Sequence, residues 1–146
     1  MKFKNNKKFT SLLLCMMLIV AMALTAGCGE KKQNDTSAGQ ELSQGGVLGE
    51  GQTIFDFVVV DKEGKETSFE IHTDKTTVGD ALLELGLIAG DVGEYGLYVK
   101  TVNGITADYD VDQTYWAFYI NGEYGMTGVD VTNIEAGATY SFKVEK

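Results

Sequence analysis

Three aspartates at alternate positions in "DYDVD", Asp108, Asp110 and Asp112, have the spacing with which an EF-hand loop begins to ligate calcium. The rest of that loop is missing, because Gln113 stands where the sharp turn needs glycine and Tyr119 where a bidentate glutamate must close the site. A looser calcium site from the three carboxylates and a solvated acidic loop remain, and the spacing favours the loop. Covalent and acid–base chemistry is poorly supplied. His72 is the one histidine and ends a predicted strand, Ser68 and Ser141 lack the strand–turn–helix setting of a nucleophile elbow, and no glycine-rich phosphate loop opens a helix. The chain is expected to bind rather than to catalyse.

The residues suited to binding are aromatic. "YWAFYINGEYG", residues 115 to 125, places four rings in five positions before Asn-Gly. At a period of two, Trp116, Phe118 and Ile120 point one way, towards a core, while Tyr115, Ala117 and Tyr119 point the other. A sheet covered on one side only would leave those tyrosines as an amphipathic platform, with Tyr98 of the preceding predicted strand in possible register. The bland alternative is cross-strand tyrosine pairing that stiffens the sheet. After the turn, "EYGMTGVD" offers Tyr124 and Met126 for apolar contact, Asn121 for hydrogen bonding, and Gly125 and Gly128 for close backbone approach. It reads equally as an ordinary glycine-rich connection. The candidate ligand contacts are Tyr98, Tyr115, Tyr119, Asn121, Tyr124 and Met126.

Positioning these side chains requires a sheet. "TIFDFVVV" and "TSFEIH" alternate as strands around the turn "DKEG", a hairpin signal. The period then changes: Val78, Ala81, Leu82 and Leu85 recur at helical spacing, Thr77 and Asp80 are placed as a cap, and Gly86 can close the helix. "YGLYVKTV", "TYWAFYI" and "TYSFKVE" follow as strands. Strand, strand, helix and three strands imply an α+β roll of the β-grasp type, an antiparallel or mixed sheet of about five strands crossed by one helix. A mostly antiparallel sandwich with a single helix is the rival.

The N-terminal stretch has the layout of a bacterial lipoprotein signal. Lys2, Lys4, Lys7 and Lys8 precede the apolar run Leu12 to Leu24, which is short for a membrane span. Ala26 and Gly27 before Cys28 resemble a lipobox, although Thr25 departs from it. The expected organisation is a signal peptide over residues 1–27, lipidated Cys28 and a flexible tether over 28–52, and a folded domain over 53–146. Cys15 would leave with the signal and Cys28 would carry lipid, so the domain has no disulfide, cysteine nucleophile or zinc–cysteine site. Two acyl chains hold a protein stably on a membrane, which puts the expected location on the outer face of the cell membrane. All 21 acidic residues lie after Cys28 with eight of the 12 lysines, a formal charge of −13 that repels nucleic acid.

The motifs "TVGDALLELGL", "YGLYVKTVNGITADY", "YWAFYINGEYGMTGVD" and "IEAGATYSFKV" resemble the transcobalamin-like C-terminal domain, a domain of unknown function widespread in bacterial surface lipoproteins. The resemblance covers nearly all of residues 53–146, with Ala138 where the family often has Asp. In the animal vitamin B12 carriers of that family the domain closes as a lid on cobalamin held by a separate helical domain, which this sequence lacks. The resemblance therefore implies a membrane-anchored, extracytoplasmic ligand-binding lipoprotein with a small-molecule ligand, a corrinoid such as cobalamin, and a transporter or surface protein as partner. A module for adhesion to protein or glycan, or a calcium-binding surface domain, is the alternative.

Overall fold

The computed structural model describes residues 44–146; the expected signal, Cys28 and most of the expected tether lie outside the described residues. In chain order the elements are β1 (Gly46–Gly49), β2 (Thr53–Val60), β3 (Glu66–Thr73), α1 (Val78–Glu84), β4 (Ile88–Gly93), β5 (Gly96–Val102) and β6 (Ile105–Thr106). They continue with α2 (Tyr109–Asp112), β7 (Tyr115–Ile120), β8 (Glu123–Tyr124), a 3-10 turn (Val129–Val131) and β9 (Thr139–Glu145). A mixed sheet runs β1-β3-β2-β9-β7-β8, and a separate sheet runs β4-β5-β6. β2 and β3 form the hairpin that alternation implies, held at its turn by the Asp61 carboxylate, which accepts from the N–H groups of Glu63 and Lys65. β9 enters the middle of the large sheet parallel to β2 and antiparallel to β7.

Alternation decides which side of this sheet is dry. Phe55, Phe57 and Val59 of β2, Phe69 and Ile71 of β3, Tyr140 and Phe142 of β9, and Trp116 and Phe118 of β7 are all buried in one cluster. Their rings interlock: Phe118 and Phe142 lie 5.1 Å apart, and Phe55 meets Tyr140 edge-on at 5.2 Å. Across from them, α1 contributes Val78, Ala81 and Leu82. Its start is fixed by the Thr77 hydroxyl, which accepts from the Asp80 N–H at 3.2 Å.

The expected roll, one sheet of about five strands crossed by one helix, is not what the chain builds. The segment between α1 and β7 does not extend the large sheet; it pairs with itself as β4-β5-β6. Length explains why. A seven-residue helix is roughly 10 Å long, whereas six strands spaced about 4.8 Å apart present a face of roughly 24 Å. The helix alone leaves apolar area wet. Leu87, Ile88, Val99, Val102 and Ala107 from the small sheet and its flanks join the same core and close that deficit. The domain is mostly β, with two sheets and one helix longer than a single turn.

The expected tether also shortens. Gly46–Gly49 lies within it, yet forms a strand parallel to β3, with Leu48 packed on the core. Its glycines are not slack: a Cβ on Gly49, which has φ +82°, would stand 2.3 Å from the His72 carbonyl oxygen.

If β1 contributes through Leu48 and its ladder, a fragment of residues 53–146 should be less stable than one of 44–146 by on the order of 1–3 kcal/mol. Urea midpoints measure this directly; coincident curves would show that β1 is a passive edge.

Candidate functional site

The other side of the large sheet has no covering element among the described residues. Directly registered neighbours fix its central row as Ser68, Val58, Ser141, Tyr119 and Tyr124, one from each of β3, β2, β9, β7 and β8. Tyr115 lies on the same face, opposite Glu145. Ala117 between the two β7 tyrosines is only 1% exposed although nothing is layered above it, because the long side chains around it screen a methyl group.

Tyr119 and Tyr124 form the aromatic end of the row, edge-to-face with centroids 5.7 Å apart. The Tyr119 hydroxyl donates to Glu145 Oε1 at 3.2 Å, and the Lys143 ammonium donates to the same oxygen at 3.0 Å. Lys143 first, then Tyr119, holds the Glu145 carboxyl below its ordinary range. Desolvation first, then the neighbouring carboxylate, pushes the Tyr119 phenol up. Tyr119 is thus half-buried and fixed, whereas Tyr124 is 58% exposed and has a free flank.

The loop that follows is braced rather than slack. Its near end is held by the Gly125 N–H, which donates to the Phe118 carbonyl at 2.8 Å; a Cβ on Gly125 would stand 2.8 Å from the Phe118 ring. Its far end is held by Asp130, whose carboxylate accepts from the Leu97 N–H at 3.2 Å, and by a bridge between Thr77 and Asn133. Within it the Thr132 hydroxyl donates to the Gly128 carbonyl at 2.8 Å and bonds to the Thr127 hydroxyl. Met126, 92% exposed, is therefore presented by a fixed loop.

The six residues expected to meet a ligand separate into groups. Tyr115, Tyr119 and Tyr124 share the open face, and Met126 stands exposed on the loop two residues past Tyr124. Asn121 is used by the turn: at φ +49° it precedes Gly122 at +81°, and its side-chain carbonyl accepts from the Thr139 N–H at 2.9 Å. Tyr98 belongs to the small sheet, where its ring lies 5.8 Å from the Lys100 ammonium, so it does not extend the row. Sequence alternation places a residue on one side of a strand but does not say which sheet the strand joins. The small side chains Val58, Ser68 and Ser141 carried no signal of their own, and their place emerges only from register.

The three aspartates do not converge. Asp108 caps α2 by accepting from the Asp110 N–H and pairs with Lys100 at 3.2 Å, alongside Asp91. Asp91 first and then Asp108 raise the Lys100 ammonium. Asp112 pairs with Lys62 and accepts from both the N–H and the hydroxyl of Thr114, contacts that hold it far below the usual carboxylate range. Among the described residues no three His, Cys, Asp or Glu side chains gather to hold an ion. His72 meets Glu70 at 2.7 Å. The buried indole N–H of Trp116 has no partner among the described residues.

Fold and site together define a small two-sheet domain with one open, aromatic-ended face. Residues 75–146 match the family model described as Domain of unknown function (DUF4430). A crystal structure of a "putative metal binding protein" from Ruminococcus gnavus ATCC 29149 is similar to this chain at 30% identity with a TM-score of 0.62, over 65% of this chain and 98% of that one. Haptocorrin in complex with Cbi is similar at 18% identity with a TM-score of 0.49, over 64% of this chain and 25% of haptocorrin. Comparison with curated proteins finds no match.

Glu145 binds its proton less readily folded than unfolded, so its contribution to stability is present above about pH 4.3 and is lost as pH falls through its lower folded value. Removing one donor in Tyr119→Phe should raise the Glu145 pKa while Lys143 keeps it below the ordinary range. Side-chain carboxyl NMR titration reads both values; an unchanged Glu145 titration would show that the Tyr119 contact does not form in solution.

Proposed function

We propose that this chain is a lipid-anchored extracytoplasmic protein whose C-terminal domain captures a small molecule on its open face, with a corrinoid as the ligand that the transcobalamin-like motifs favour. The observation that carries the reading is the Tyr119–Tyr124 pair, with Tyr124 exposed, on a face that no described element covers. Exposed aromatic area on a rigid support is what a binding surface needs.

The geometry also bears on the kind of binder proposed. Small-molecule sites bury most of their ligand in a concavity, and one side of a sheet supplies a floor with flanks no higher than a side chain. The domain is therefore half of a site, with the ligand closed between this face and a second body, which would be a transporter or another surface protein. A description as metal-binding for the Ruminococcus gnavus protein is compatible with this reading if the metal arrives already chelated, since the described residues gather no ligand set of their own. The calcium alternative has two of its three aspartates engaged by lysines. A binding role is supported by the same side chains: His72 is occupied by Glu70, and the tyrosines suit contact rather than proton transfer. Cys28 would supply the membrane anchor. Adhesion through the same face is the second reading, because a shallow, open face suits an extended partner.

Titration of the full-length protein with cobalamin should shift the corrin absorbance bands. Tyr124→Ala should weaken that binding by about tenfold, and Tyr98→Ala, in the other sheet, should leave it unchanged. Equal loss in both variants would move the site off this face; the absence of any spectral change at millimolar protein would remove the corrinoid.

A further inference from the structure

The open face extends well beyond its two tyrosines. From Tyr124 and Tyr119 the central row continues through Ser141 and Val58 to Ser68, so small side chains follow the rings across β9, β2 and β3. One flank of these small residues is Thr139, Asp56 and Glu70, and the other is Lys143, Val60 and Glu66, each registered with its neighbour on the next strand. Five strands at about 4.8 Å spacing make the row roughly 19 Å long. It is a shallow trough with an aromatic end and hydroxyls along its floor.

We propose that this trough binds an extended oligosaccharide of amino-bearing sugar rings, of the glucosamine type. The ring shape of the occupant follows from the floor. Tyr124 offers a flat apolar surface for the C–H side of a pyranose, while Ser141 and Ser68 can exchange hydrogen bonds with sugar hydroxyls. A peptide fits less well. An extended peptide gains its main-chain hydrogen bonds at a sheet edge, and this row runs across the strands, where the backbone groups are already paired in the ladder.

The positive charge of the occupant follows from the walls. Asp56 stands directly opposite Glu70, a cross-strand arrangement of like charges that weakens a sheet. Glu70 is met by His72, and Lys143 on the other wall is already paired with Glu145. Asp56 and Glu66 have no salt-bridge partner among the described residues. Residues 44–146 carry 18 acidic side chains against six lysines, which disfavours uronic acid or sulfated polymers. Sugar ammonium groups complement both walls. This site uses Ser141, Val58, Ser68 and Asp56, none of which the corrinoid reading needs.

Calorimetric titration of the full-length protein with glucosamine tetrasaccharide, its N-acetylated counterpart, a sulfated tetrasaccharide and a tetralysine peptide tests this. The glucosamine oligomer should bind, with acetylation weakening it about tenfold or more and sulfation abolishing it. Asp56→Asn should weaken the glucosamine oligomer about tenfold without lowering Tm and leave cobalamin titration unchanged. Val58→Arg, which fills the trough, should abolish binding of the sugar while Tm reports whether the fold survives. No binding of the glucosamine oligomer, equal binding of the acetylated oligomer, or equal or tighter binding of tetralysine would each overturn the proposal. Loss of cobalamin binding alone would overturn the corrinoid reading and leave this one standing.

Discussion

The aromatic packing on one side of the large sheet sets the terms for everything else. Phe57, Phe69, Phe118, Tyr140 and Phe142 all project from the same side, and Phe118 lies parallel to Tyr140 at 6.2 Å. Because the strand period is two, the residues between them are committed to the opposite side. A covered, greasy layer and an uncovered, polar-aromatic layer are therefore two consequences of one register. A slip of one residue in β7 against β9 would drive Trp116 and Phe118 outwards and Tyr115 and Tyr119 in.

That constraint also explains the second sheet. Burial of large apolar side chains is worth roughly 1.5–3 kcal/mol each, so aromatic area left uncovered beside a two-turn helix would cost more than a marginally stable domain can lose. The chain between α1 and α2 answers with a β-meander. Val99 and Val102 face the core from β5 while Tyr98 and Lys100 face away. Ion pairs then gather on the outward side, where Lys100 joins Asp91 to Asp108 and so ties β4 and β5 to the start of α2. Exposed pairs of this kind add little energy. Their contribution is to the placement of the segment that leads into β7.

Much of the local structure is legible in the residues. Alternation marks β2, β3, β7 and β9, the change to a period near 3.6 marks α1, and Asn-Gly marks the turns at Asn103 and Asn121, both of which adopt φ +49°. What is not legible depends on partners distant in the chain. "GVLG" reads as slack because its strand character comes from lying against β3, and "IAGDVG" has one buried side chain, Ile88, so no alternation announces β4. The β5 pattern is correct for a strand but silent on its neighbour, which is why Tyr98 reads as part of the tyrosine face and lies elsewhere. For the candidate site, the rings were visible by type. The trough of Val58, Ser68 and Ser141 was not, since small residues become a feature only when register lines them up between longer ones.

The loop after β8 shows how the covered layer shapes the uncovered one. Gly125 is pinned to Phe118, a core residue, and Asp130 is pinned to Leu97 at the start of β5, so the loop bearing Met126 spans from the large sheet to the small one. The 129–134 segment is also tied to the start of α1, where the Val78 N–H donates to the Thr132 carbonyl at 2.9 Å and the Ile134 N–H to the Thr76 carbonyl at 2.9 Å. Both α1 and the small sheet, through the start of β5, thus have a hold on the loop that follows the edge strand of the open face. A loop fixed at both ends loses little conformational entropy when a ligand arrives, so weak contacts to Tyr124 and Met126 are retained as affinity rather than spent on ordering. The small sheet and helix therefore do more than keep aromatic rings dry: they hold the loop after the edge strand of the opposite face in the one arrangement it can present.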